Sequence, residues 1–169
     1  MTASVGGSEP VTGTPKEGEG EPVTQDVLVA RPAVFIPKVP RPTASADELL
    51  RQLDDGTLLV VDARSPERFR GDTEPIDPVA GHIPGAVNRP FTANLTPEGT
   101  FKPAALLRSE FSALMNERAP FAVVHQCGSG VTAAHNLLAM TIAGFAGSRL
   151  YPGSWSEWCA DPKRPVARG

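Results

Sequence analysis

Three residues carry the chemistry of this chain: Cys127, set in His125-Gln126-Cys127-Gly128-Ser129-Gly130-Val131-Thr132, and the pair Arg64 and Arg68. The cysteine stretch closes an apolar run, Phe121-Ala122-Val123-Val124, and opens a helical pattern from Val131 to Phe145. A buried strand that ends in Cys and two glycines before a helix makes a tight loop whose backbone N–H groups can converge on one sulfur. The helix N-terminus and the amide ring both favour negative charge, which predicts a thiol of lowered pKa that is nucleophilic at neutral pH. The plainer alternative is a small residue buried at a strand end, where free Cys is common. The flanking glycines favour the reactive reading.

The elements that must position these residues follow from the apolar pattern. Ser45 is an N-cap with Asp47 and Glu48 in the first turn, and Leu49, Leu50 and Leu53 form the stripe of a helix that Asp55-Gly56 ends. Leu58-Leu59-Val60-Val61 reads as a strand buried on both faces of a parallel sheet. It ends in Asp62-Ala63-Arg64, and Ser65 and Pro66 then start a short helix carrying Arg68, so both arginines lie at the strand's carboxyl end, where open α/β sheets bind ligands. Surface charges are the usual fate of helical arginines; the strand-end position favours an anion-binding role for Arg68.

Gly81-His82-Ile83-Pro84-Gly85-Ala86 is a turn into a brief strand, with His82 read as a loop-fixing hydrogen bonder. Leu107, Phe111, Leu114 and Met115 mark a helix docked on the sheet, and Leu137, Leu138 and Ile142 are expected to pack inward from the helix after Cys127. Arg149-Leu150-Tyr151 reads as a last strand and Gly153 to Trp158 as the start of a terminal helix whose tryptophans pack. Alternating strands and helices predict an α/β fold: a central, mostly parallel sheet with helices on both faces.

Composition sets bounds. The 169 residues allow one ordinary domain, placed at 45–169, plus a tail. Residues 1–44 are rich in Gly, Pro, Thr and Glu, which predicts a flexible linker to Gln25 and an extended strap through Pro32, Pro37, Pro40 and Pro42. A net charge of −3 gives no electrostatic case for nucleic acid or an anionic membrane. Cys127 and Cys159 have no CxxC partner or zinc spacing, so neither a structural metal nor a disulfide framework is expected, and Cys159 reads as a structural thiol. The N-terminus lacks the pattern of a signal peptide and no run could span a bilayer, so the expected location is cytoplasmic, where a free thiol persists.

Four motifs in order carry a family resemblance: Asp62-Ala-Arg-Ser-Pro-Glu-Arg-Phe-Arg-Gly71, Gly81-His-Ile-Pro-Gly-Ala86, Cys127-Gly-Ser-Gly-Val-Thr132 and Tyr151-Pro-Gly-Ser-Trp-Ser-Glu-Trp158. Over residues 45 to 169 the chain resembles the rhodanese family, and within it the C-terminal, catalytic half of tandem 3-mercaptopyruvate or thiosulfate sulfurtransferases. The resemblance implies a mechanism without cofactor. Cys127 takes the outer sulfur of a small donor, the loop amides of Gly128, Ser129, Gly130, Val131 and Thr132 stabilise the persulfide, and a thiol, thioredoxin or cyanide removes it. Arg68 matches the family's substrate-anion arginine, with Arg64 supporting it. Thiosulfate-preferring relatives carry basic residues just after the Cys, whereas Gly128-Ser129 resembles the mercaptopyruvate type, and a monocarboxylate needs less positive charge than a dianion. Mercaptopyruvate enzymes of the family place a second arginine where this chain has Asp77. Their relay through the loop Ser recruits His and Asp from an N-terminal domain, so without that domain Ser129 is only a loop residue.

Gly6-Gly7-Ser8-Glu9-Pro10-Val11 resembles the interdomain connector of the tandem enzymes, so the chain reads as a C-terminal half standing alone, completed by a second rhodanese-like domain or by a homodimer. Two rival readings remain. A cysteine phosphatase needs Arg six positions after its Cys, where this chain has Ala133. A non-turnover persulfide carrier or binding module would keep the fold without the full reaction.

Overall fold

Two four-residue runs of buried backbone form the middle of the sheet. The computed structural model describes residues 43–52 and 56–169. In chain order the elements are α1 (Ala46–Gln52), β1 (Leu59–Asp62), α2 (Pro66–Arg70), β2 (Val87–Asn88), α3 (Ala104–Met115), β3 (Val123–Gln126), α4 (Val131–Ile142), β4 (Arg149–Leu150) and α5 (Ser154–Ala160), with 3-10 turns at Phe91–Asn94 and Pro120–Ala122. The strand order is β2-β1-β3-β4 and every pairing is parallel, with Asp62 opposite both Asn88 and Gln126. No helix among the described residues is long and apolar enough to cross a membrane.

Alternation along β1 and β3 sends side chains to two separate cores. Val60 and Val124 pack with Leu49 of α1, Ile83, Tyr151 and both tryptophans of α5. Leu59, Val61 and Val123 pack with Leu107, Phe111 and Met115 of α3 and with Ala139 and Met140 of α4. Helices therefore cover both faces, as the apolar runs predict.

Local signals set most boundaries. Ser45 Oγ accepts the Glu48 N–H (3.2 Å), capping α1 as predicted, and Pro66 opens α2. Gly71 closes α2 in the left-handed region. His82 holds its loop: Nδ1 donates to the Phe69 carbonyl (2.7 Å), the ring stacks on Phe69, and its backbone pairs with Ala167.

Two expectations about packing direction need correction. On α1, Leu49 is buried but Leu50 points outward, and Leu53 lies outside the described residues. On α4, Leu137 is buried, but Leu138 and Ile142 are 42% and 36% exposed. The buried stripe runs through Ala133, Asn136, Leu137, Met140 and Ala143, at helical spacing, and Leu138 and Ile142 fall off its edge. Small residues facing the sheet let α4 approach closely, which an apolar count on the outer face does not reveal. The predicted linker and strap lie outside the described residues except Thr43 and Ala44, where the Ala44 N–H donates to the Leu150 carbonyl (2.8 Å) at the edge of β4.

β3 also buries His125, whose Nε2 lies 3.1 Å from Met140 Sδ. Burial, with the Arg89 charge adding to it, pushes this imidazole from the ordinary 6.5 down to about 3. The unfolded chain thus takes up a proton near pH 6.5 that the folded domain refuses until about pH 3. Stability present above pH 6.5 is lost as pH falls, by about 1.4 kcal/mol per pH unit in that window. His135, lowered by its own burial, acts in the same direction. The urea midpoint should fall between pH 6.5 and 5 and fall less steeply in His125→Leu; an identical slope in the variant would contradict this assignment.

Candidate active site

The sheet register by itself brings the predicted residues together. Asp62 pairs with Gln126, and the Ala63 N–H donates to the Gln126 carbonyl (2.9 Å), so the residues after β1 and after β3 emerge side by side. The chain leaves β1 toward β2 on one side and leaves β3 toward β4 on the other. The crevice at β1/β3 is therefore the switch point where ligands bind in such sheets.

That crevice is a cavity of about 320 Å³ lined by Arg64, Arg68, Ile76, Asp77, Phe91, Cys127, Gly128, Ser129, Val131, Thr132 and Ser156, among others. Cys127 is 2% exposed and stands at its base over Ala63 and Ala133. Among the described residues one hydrogen bond reaches the sulfur: the Gly130 N–H donates to Sγ (3.1 Å). Gly130 caps α4 at φ +88°, and a Cβ there would lie 2.7 Å from the Pro152 carbonyl oxygen. Both conformation and space demand glycine at this point of the loop. The other predicted donors, at Gly128, Ser129, Val131 and Thr132, belong to the same loop and first helical turn; Ser129 and Val131 are exposed at the rim.

The two arginines differ in kind. Arg64, with 1% of its side chain exposed, is fully committed: Nε and Nη2 bind the Asp62 carboxylate (3.1 and 2.7 Å), Nη2 also binds the Gly81 carbonyl (2.7 Å), and Nη1 reaches Glu74 (3.3 Å). Its guanidinium lies over the Trp155 ring, 4.8 Å from the centroid. Arg68 keeps 18% of its side chain exposed and faces the loop: a Cβ on Gly128 would lie 3.5 Å from both Nη1 and Nη2. Its partners are Glu74 (2.6 Å) and Asp77 (3.2 Å). Burial pushes the Glu74 carboxyl up, but the Arg68 guanidinium and the Asp77 and Ile76 N–H groups outweigh it and hold Glu74 below the usual carboxylate range.

Several site residues were not singled out from sequence. Ser154 Oγ accepts the Cys127 N–H (3.1 Å) and donates to the Tyr151 carbonyl (2.9 Å), two bonds that hold a buried serine at φ +53°. The Trp155 and Ser156 N–H groups donate to the Cys127 and Gly128 carbonyls (both 3.0 Å). Ser156 Oγ also lies 2.6 Å from Asp77 Oδ1 and 2.9 Å from the Gly128 carbonyl. The start of α5 is thus a brace for the cysteine loop as well as a packing element. The available signal was Ser-Trp-Ser after a Pro-Gly turn: hydroxyls flanking a core aromatic. Cys159 does not line the cavity; it is buried in the α5 core with its Sγ 3.9 Å from the Ser156 carbonyl, and burial, with the Asp77 charge adding to it, pushes its thiol up.

Fold and site define a parallel α/β domain that presents a cysteine loop and an arginine at one sheet edge. The chain belongs to the rhodanese family: the rhodanese-like domain matches residues 45–161. It is 56% identical over 124 residues to a probable 3-mercaptopyruvate sulfurtransferase of Pseudomonas aeruginosa, covering 73% of this chain and 44% of that protein. It is 37% identical over 154 residues to 3-mercaptopyruvate sulfurtransferase of Rattus norvegicus, covering 88% and 51%. Among solved structures, 3-mercaptopyruvate sulfurtransferase from Leishmania major superposes with a TM-score of 0.63 at 30% identity, over 87% of this chain and 40% of that one. The chain spans about half the length of the curated relatives it matches.

Proposed function

We propose that the domain, residues 45–169, is a sulfurtransferase that moves sulfur from 3-mercaptopyruvate, in preference to thiosulfate, through a persulfide on Cys127. Residues 1–44 serve as its linker or strap. The observation that carries this reading is Cys127 at the base of a cavity on whose wall the Arg68 guanidinium lies against Gly128. The names of the Pseudomonas and rat relatives support the donor class.

In this reading Arg68 binds the donor carboxylate, and Arg64 holds the base of the arginine loop through Asp62 and the Gly81 carbonyl. The Cys127 thiolate attacks the donor sulfur. The S–S bond forms as the C–S bond breaks, the electron pair leaves on the enolate of pyruvate, and that carbon takes a proton. The Gly130 N–H, already on Sγ, with the neighbouring amides of Gly128, Ser129, Val131 and Thr132, stabilises the charge of the persulfide. A thiolate or cyanide then attacks the outer sulfur and releases the Cys127 thiolate. A free thiol of this kind suits a reducing compartment.

The test is thiocyanate formation from cyanide with 3-mercaptopyruvate and thiosulfate side by side. Turnover with mercaptopyruvate above thiosulfate is expected. A folded protein that turns over neither donor would overturn the enzyme reading and leave a persulfide carrier that depends on a further domain or a second copy.

A further inference from the structure

We infer that Asp77 is a specificity-determining residue, its carboxylate setting the charge of the donor pocket against doubly charged donors. The inference rests on the sulfurtransferase reading of the same site. Across the cluster, Arg64 and Arg68 face Asp62, Glu74 and Asp77, so two guanidinium groups meet three carboxylates and the formal sum is negative. Arg64 lines the cavity, but its guanidinium is held by the Asp62 carboxylate and the Gly81 carbonyl. Arg68 is the cation that a donor meets, and its charge is already matched by Glu74.

Asp77 adds a second carboxylate to the same guanidinium. Its Oδ2 lies 3.2 Å from Arg68 Nη2, while Oδ1 accepts the Ser156 hydroxyl at 2.6 Å. With both oxygens engaged and only 6% of the side chain exposed, Asp77 is held in the cavity wall as a fixed charge. Glu74, tied to both arginines and to the Ile76 and Asp77 N–H groups, builds the loop. Asp77 makes one ion pair and one hydroxyl contact, so its charge can be removed while that loop keeps its other bonds.

The Coulomb effect of a fixed charge scales with the charge of the ligand. In a half-solvated pocket, a neighbouring unit charge changes affinity by about tenfold per charge on the ligand. Neutralising Asp77 should therefore help a dianion about ten times more than a monocarboxylate. Interactions that depend on partner charge in this way set specificity as a difference between ligands.

The experiment measures dissociation constants for thiosulfate and 3-mercaptopyruvate on the Cys127→Ser background, which binds without reacting, and kcat/KM for both donors with Cys127 intact. Asp77→Asn is expected to shift the ratio toward thiosulfate by about tenfold in both. Asp77→Glu, which restores the charge, and Ser156→Ala, which breaks the hydroxyl contact but keeps the charge, should leave the ratio within twofold of the parent. Asp77→Ser serves as a second neutral variant if the Asn form does not fold. An unchanged ratio in the neutral variants, or an equal shift in Asp77→Glu or Ser156→Ala, would overturn the inference while leaving the sulfurtransferase reading intact. A shifted binding ratio with no turnover by the parent would uphold the charge assignment and overturn that reading instead.

Discussion

Replacing Cys127 by serine should abolish cyanide-dependent thiocyanate formation, a loss of at least about a thousandfold, without unfolding the domain. In the proposed mechanism the nucleophile is the sulfur anion, and a serine hydroxyl is not ionised at neutral pH, so the first bond-forming step would have no substitute. One loop contact reaches the sulfur, from the Gly130 N–H, and a serine Oγ can accept it too. The Cys127 N–H is held by Ser154 Oγ and the Cys127 carbonyl by the Trp155 N–H, both backbone contacts that survive substitution. The serine variant should accordingly keep its thermal midpoint within a few degrees while losing turnover. Cys159→Ser, altered in the α5 core at a residue that does not itself line the cavity, is expected to keep turnover. Equal loss in the two variants would mean that reactivity is not centred on Cys127.

The second large effect is expected at Arg68. Arg68→Leu removes the guanidinium that faces the cavity and leaves Glu74 and Asp77 without their shared partner, so an incoming carboxylate loses its attraction and meets two uncompensated charges. Loss of a charge-assisted contact of this kind costs about 2–5 kcal/mol, and a fall of about a hundredfold or more in kcat/KM for mercaptopyruvate follows. Most of the fall should appear in KM, because the proposed mechanism has Arg68 act on the anion and not on the sulfur. Arg68→Lys should recover part of it, since an ammonium keeps the charge but not the planar fork. Arg64 behaves differently. Its pair with Asp62 is buried, and removing one partner of such a pair costs about 3–5 kcal/mol of stability. Arg64→Ala should therefore show first as a lowered urea midpoint. A pair of variants with the reverse pattern would exchange the roles assigned to the two arginines.

How far the sequence was legible depended on whether a signal was local. β1 and β3 were readable because a strand buried on both faces has to be apolar throughout, and Ser45 and Pro66 marked helix starts through contacts within one turn. The position of the Cys127 loop between β3 and α4, shaped by its glycines, was readable for the same reason. The inward face of α4 was not, because Leu138 and Ile142 are as apolar as the residues that pack, and only the sheet chooses between the faces. The brace from Ser154 and Ser156, and the placing of Glu74 and Asp77 on Arg68, depend on contacts between segments that spacing along the chain does not bring into view. The difference between Arg64 and Arg68 was visible only as position. Its physical basis, one guanidinium spent on Asp62 and Gly81 and the other turned to the cavity, is tertiary.

The central claim is that sulfur passes through a covalent bond to Cys127, and the most direct measurement is the intact mass of the protein after exposure to 3-mercaptopyruvate in the absence of an acceptor. The account predicts a gain of one sulfur atom per chain, located on the peptide that contains Cys127, removed by cyanide or by a thiol and missing in Cys127→Ser. An unchanged mass in a folded protein that turns over the donor, or a sulfur atom found on Cys159, would contradict it.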